Sequence, residues 1–243
     1  MGTAQVLPTT AVPTKVAIGN VAGDAANDAV VGTTAGVNVF PQVSGAFGSR
    51  TTLAAGHVTA LALRDLDADG RTDLVVGTTV SGTYFLSVFL NVGDGFQGTA
   101  GYSTTIASPS AGIESGDFDG DGRVDLAVMT GVSVSLFRNQ GNGTFTSQGT
   151  FSQPTGGFVV VDQDNDGRDD LLSITANGLY VARGNGSFTF EAPLRLFGVG
   201  RLPATAQPAI ASAKVDLDTF RDLILLAPLS TGSEVVTLFG TCR

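Results

Sequence analysis

The chain has 243 residues, 33 of them glycine and none tryptophan, and only 14% are charged; that length can bury a substantial core, and the composition suits many short strands and tight turns. A formal charge of −9 with no basic cluster leaves nothing to hold a phosphate backbone, so no nucleic-acid partner is expected. There is no long apolar run and no charged-then-apolar leader, so neither a membrane span nor a signal peptide is read here, and the lone Cys242 permits no internal disulfide.

In chain order, Met1 to Pro13 contains Gly2-Thr3-Ala4-Gln5, similar to Gly143-Thr144-Phe145-Thr146 further on, and reads as the last strand of a sheet whose other strands lie elsewhere. Alternation and turn residues then predict strands at 15–20, 29–32 and 37–40, with a fourth starting at 45–48. The plan returns at 58–63, 74–77 and 84–90, at 126–129 and 134–137, at 158–161, 171–174 and 179–182, and at 223–227 and 235–239. Asp94-Gly95, Asn142-Gly143 and Asn185-Gly186 signal type I′ hairpins. Each precedes a phenylalanine, Phe96, Phe145 or Phe188, expected to pack between neighbouring sheets. Segments 97–111 and 197–209 are rich in Gly, Ser, Thr, Pro and Ala and read as enlarged inter-sheet loops, the candidate recognition surfaces.

Three of the turns carry one pattern. Asp117-Phe118-Asp119-Gly120-Asp121-Gly122-Arg123-Val124-Asp125 has carboxylates at its first, third, fifth and ninth residues and a glycine at the sixth, where a loop wrapping an ion turns sharply and positive φ is easiest. Asp65, Asp67, Asp69, Gly70, Arg71 and Asp73 repeat it, as do Asp162, Asp164, Asp166, Gly167, Arg168 and Asp170. Carboxylates ~5 Å apart at an effective dielectric of ~20 repel by about 3 kcal/mol per pair before screening, so such a loop wants a cation. Hard oxygen donors with neither His nor Cys suit Ca²⁺ rather than Zn²⁺ or copper, and Mg²⁺ resists an all-protein cage. The loop is not an EF-hand, because its twelfth residue is Val128 and strands flank it.

Two degenerate copies complete the series. Asn20, Ala22, Asp24 and Asp28 keep two acids, and Lys214, Asp216, Asp218 and Asp222 place a lysine first, so three calcium ions are expected and not five. Twelve of the 22 acids occupy the liganding positions of the complete loops, and three divalent ions would bring the charge from −9 to about −3. The ninth-residue aspartates, Asp28, Asp73, Asp125, Asp170 and Asp222, are 45, 52, 45 and 52 residues apart. That period predicts an all-β chain: one β-propeller domain of five four-stranded blades, with repeat units near 14–56, 57–108, 109–154, 155–206, and 207–243 plus 1–13. The strand missing at the end is the one left over at the start, so the N-terminal strand is expected to close the last blade.

The D-x-D-x-D-G-x-x-D-L loop followed by strand, Asn-Gly turn and Phe resembles the FG-GAP and VCBS repeats of integrin α-subunit propellers and of many secreted bacterial and fungal proteins. The resemblance covers nearly the whole chain and is most specific in units two to four. It implies that Asp65, Asp67, Asp69, the Arg71 carbonyl and Asp73 ligate calcium, with Asp117, Asp119, Asp121, Arg123 and Asp125, and Asp162, Asp164, Asp166, Arg168 and Asp170, in the same roles. Such propellers commonly have seven blades where five are counted here, which leaves a five-bladed ring or a fragment that needs more blades to close.

No constellation for catalysis is present. The single histidine, His57, stands beside Gly56 and Val58, and no nucleophile elbow, phosphate loop or Cys/His metal set occurs. Calcium-bound carboxylates are poor general bases. The expectation is therefore a non-enzymatic, calcium-binding extracellular module, monomeric, that recognises a protein or glycan. A lectin with pockets between blades, or an accessory domain of a secreted enzyme, are the alternatives. Export is inferred from the calcium levels such sites need.

Overall fold

The computed structural model describes residues 5–53, 56–97, 100–108, 110–131, 133–153, 156–175, 177–197, 209–213, 222–229 and 232–238. They contain no helix. Four antiparallel four-stranded sheets follow one another along the chain. The first runs Pro13–Gly19, Asp28–Thr33, Gly36–Phe40, Thr51–Leu53; the second His57–Arg64, Asp73–Val80, Thr83–Phe89, Tyr102–Thr105. The third is Ser110–Gly116, Asp125–Thr130, Ser133–Asn139, Phe145–Ser152, and the fourth Gly157–Val161, Asp170–Thr175, Gly178–Ala182, Leu194–Phe197. A fifth sheet has three strands among the described residues: Ala209–Ala213, Asp222–Leu229 and Gly232–Leu238.

The second strand of each of the first four sheets is buried along nearly its whole length, as in Asp125–Thr130. A strand covered on both faces reads as a continuous apolar run rather than an alternation, which is why Leu126, Ala127, Val128 and Met129 follow one another. Val21, Val30 and Val37 of the first repeat share a core with Val58, Leu63, Leu74 and Val76 of the second, and Ala127, Met129 and Leu136 share one with Phe158, Leu171 and Ala182. Each such Val or Leu contributes about 1.5–3 kcal/mol. The approach is close at Gly32, where an added Cβ would lie 2.5 Å from a Val58 methyl. By contacts the chain divides into two compact units, 1–113 with 139–146, and 114–138 with 147–243.

Three expectations change. The residues around 45–48 form a small hairpin, Gln42–Val43 against Ala46–Phe47, and the outermost strand of the first sheet comes later. Tyr102–Thr105, inside the segment read as an enlarged loop, is the outermost strand of the second sheet; it is polar and half exposed, so no apolar pattern announced it. Residues 5–12 form no strand and run along the first sheet, and the strand expected to close the last blade, Met1 to Leu7, falls partly outside the described residues. Gln5 Nε2 donates to the Phe47 carbonyl (2.8 Å), Phe47 N–H donates back to Gln5 Oε1 (2.9 Å), and Thr10 N–H donates to Oδ1 of the fully buried Asn38 (2.9 Å). The buried amide needs partners, and this segment supplies them. Met1 to Ala4, the degenerate loop from Lys214, and Cys242 lie outside the described residues.

Candidate metal centres

Each complete loop is curled by its own first aspartate. The N–H of the sixth residue donates to it: Gly70 to Asp65 Oδ2 (3.0 Å), Gly122 to Asp117 Oδ2 (2.8 Å), Gly167 to Asp162 Oδ2 (3.0 Å). These glycines have φ of 82°, 81° and 85°, as the sequence led one to expect, but the fourth residue is left-handed too: Ala68 (61°), Gly120 (78°) and Asn165 (61°). That second requirement was illegible, since Ala, Gly and Asn share no side-chain signature. The type I′ expectation does not hold either, because Asp94 and Asn142 are absent from the left-handed residues while Gly93, Gly95, Gly141 and Gly143 are among them.

The ninth aspartate is an anchor first. Asp73 is fully buried; its Oδ2 accepts from Leu66 N–H (2.9 Å) and its Oδ1 from Asn91 N–H (2.8 Å), tying the loop to the end of the third strand. Asp170 does the same with Gln163 (3.0 Å) and Gly184 (2.8 Å), and Asp125 accepts from Phe118 (3.1 Å). Asp28 repeats the arrangement in the degenerate first loop, with Val21 and Ala22 (both 2.8 Å) and Gln42 (2.7 Å). Burial pushes the Asp73 and Asp170 carboxyls up to about 6 against the pull of those backbone donors, with neighbouring loop aspartates pushing the same way.

The first, third and ninth carboxylates converge: Asp65, Asp67 and Asp73; Asp117, Asp119 and Asp125; Asp162, Asp164 and Asp170 each bring one oxygen within 4.8 Å of the others. In the second repeat, Asp65 Oδ1 and Asp67 Oδ1 are buried with no hydrogen-bond partner, and burial followed by the Asp69 charge raises the Asp67 pKa. Two orphaned carboxylate oxygens facing a third acid fit a hard divalent cation. The fifth-position acids are not in these groups. Asp69, Asp121 and Asp166 accept the N–H of Arg71, Arg123 and Arg168 (2.8, 3.0 and 2.9 Å), and each pairs with that arginine's guanidinium. Burial works against the ionised Asp121, yet donors from Arg123 and Arg138 and their charges hold its pKa below the usual carboxylate range.

The loops are also gripped by the repeat that follows. Asn91 Nδ2 donates to the Val21 carbonyl (3.0 Å), Asn139 Nδ2 to the Leu66 carbonyl (2.7 Å), and Phe188 N–H to the Phe118 carbonyl (3.0 Å). The residue gripped is the one whose N–H the ninth aspartate holds. Gly184 replaces the asparagine in the fourth repeat, where a Cβ would meet the Asp169 carbonyl at 2.3 Å. The three phenylalanines pack across repeats as expected: Phe145 against Tyr102 (5.7 Å), Phe188 against Phe118 (6.0 Å), and Phe96 against the core that holds Val21.

A family model described as "FG-GAP-like repeat" matches residues 65–128 and 117–173. Residues 65–173 carry FG-GAP-like repeats. These matches cover the three converging acid groups. No curated protein matches the chain by sequence. Among solved structures, BBS1N in complex with ARL6DN is similar at a TM-score of 0.59 and 12% identity, over 93% of this chain and 78% of that one. The Photorhabdus luminescens Tc holotoxin pore is similar at 0.54 and 21% identity, over 97% of this chain, which spans 12% of the holotoxin chain. A lectin from Agrocybe aegerita that recognises non-reducing terminal N-acetylglucosamine aligns at 0.48 and 18% identity, over 95% and 81%. The likenesses at 0.59 and 0.54 speak to fold alone, a β-propeller-like one. Among the described residues no helix is long and apolar enough to cross a membrane.

Proposed function

We propose that this chain is a non-enzymatic recognition module of the extracellular space, monomeric, whose five repeats form one propeller domain and whose three complete FG-GAP-like loops each hold one Ca²⁺. Asp65, Asp67 and Asp73, Asp117, Asp119 and Asp125, and Asp162, Asp164 and Asp170 supply the converging oxygens. The observation that carries the reading is the pair of buried, unpartnered oxygens on Asp65 and Asp67 beside Asp73. Loops fixed by calcium suit a protein or glycan ligand, and repetition of the acids through three repeats suits stability better than a single reaction centre.

The test is a melting curve in excess EDTA, then in millimolar Ca²⁺, with Mg²⁺ as control, alongside the mass in solution. A rise in Tm of 10 °C or more with Ca²⁺ but not Mg²⁺, at a monomer mass, supports the reading. No shift would refute the calcium assignment. A screen of immobilised glycans and of extracellular proteins then separates the two classes of ligand.

A further inference from the structure

The three acid groups are not electrostatically equal. In the third repeat, Arg138, the residue before the gripping Asn139, sets its Nε 2.7 Å from Asp119 Oδ2 and donates to Asp121 Oδ2 (3.2 Å). In the fourth, Arg183 at the same place sets its Nε 3.3 Å from Asp164 Oδ2. In the second repeat that place belongs to Leu90, and Asp65 and Asp67 form no ion pair among the described residues. The orphaned oxygens follow the same division: they are on Asp65 and Asp67, whereas Asp117 Oδ1 and Asp162 Oδ1 accept loop N–H groups (2.8 and 3.1 Å). The seventh-position arginine pairs with the fifth aspartate in all three loops, so it cancels in the comparison.

A guanidinium that shares a third-position carboxylate with a divalent ion repels that ion from well inside a screening length. It also neutralises part of the charge that would draw the ion in. Resting on the calcium reading above, we infer that the residue before Asn91, Asn139 and Gly184 sets metal affinity: Leu90 leaves the second repeat a tight site, while Arg138 and Arg183 hold the third and fourth as weaker sites that fill at higher calcium. The arginines serve as stand-in cations when the metal is scarce, so the third and fourth loops keep their shape in its absence and the second does not. The chain would then report two calcium ranges rather than one.

Calorimetric titration of the full chain with Ca²⁺ alone tests this. The expected result is one site at least tenfold tighter than two others, with the tight site lost in Asp67→Asn. Arg138→Gln should tighten one weak site at least fivefold, and Arg138→Lys, which keeps the charge, should leave it within twofold of wild type. Both side chains are about half exposed, so Arg183→Gln repeats the test should Arg138→Gln fail to fold. Three sites within threefold of each other would overturn the inference. So would a loss of affinity in both Arg138 variants, which would mean that the arginine orients Asp119 rather than opposing the ion. No calcium uptake by any variant would be the separate failure of the calcium reading, and would take this inference with it.

Discussion

Asp28 separates two roles that the other repeats superimpose. It stands in a loop that lacks the acids for a metal, yet it is fully buried and accepts three backbone N–H groups. Truncation strands those donors, and each buried unsatisfied donor costs about 1–3 kcal/mol. Asp28→Ala should therefore destabilise by about 3–5 kcal/mol in denaturant melts while the calcium-induced rise in Tm stays that of wild type; a mild effect would mean that the anchor is dispensable. Ala68 carries the opposite lesson. Its φ of 61° is a conformation that costs an L-residue roughly 1–2 kcal/mol, offset in part by the greater unfolded-state entropy of glycine. Ala68→Gly should raise metal-free stability by up to about 1 kcal/mol, and a loss of stability would show that the left-handed turn is not adopted. Gly120 already stands at the corresponding place in the third loop.

At the scale of the element, the alternate acids, the glycine at the sixth position and the apolar middle strands were legible, because each answers to a local rule of ligand geometry, turn conformation or double-faced burial. What was not legible is non-local. Nothing near Asn139 in sequence says that its side chain closes the loop of the previous repeat, 73 residues away, and the polar outer strand Tyr102–Thr105 earns its place only by pairing with Thr83–Phe89. The dual use of the ninth aspartate was hidden for a related reason: an acid repeated at a liganding position looks like a ligand, and only its buried backbone partners reveal the anchor. Asn139 is 1% exposed and also accepts Gly141 N–H (2.8 Å), so Asn139→Ala should cost about 2 kcal/mol. It should weaken metal binding at Asp65, Asp67 and Asp73 rather than in its own repeat. In an Asp67→Asn background the same substitution should bring no further loss of affinity, and a loss that persists there would break the proposed coupling.

Across the whole molecule the acids are distributed unevenly along the repeats. The first sheet has an intact anchor and no converging acid group among the described residues, whereas the loops of the second, third and fourth repeats concentrate charge that only a cation or an arginine relieves. On the calcium reading proposed above, folding free energy is drawn from hydrophobic cores throughout but from metal in only part of the chain, and local opening should follow that division. Hydrogen exchange compared in EDTA and in millimolar Ca²⁺ should show the largest loss of amide protection on chelation around 65–73, and a smaller one around 117–125 and 162–170, where Arg138 and Arg183 pair with the third-position aspartates. The change around 20–28 should be least, because Asp28 holds Val21 and Ala22 whether or not calcium is present. Protection lost equally in all four loops would mean that metal stabilises the fold globally rather than loop by loop. Protection unchanged in all of them would mean that hydrogen bonds to the first and ninth aspartates suffice to hold the loops.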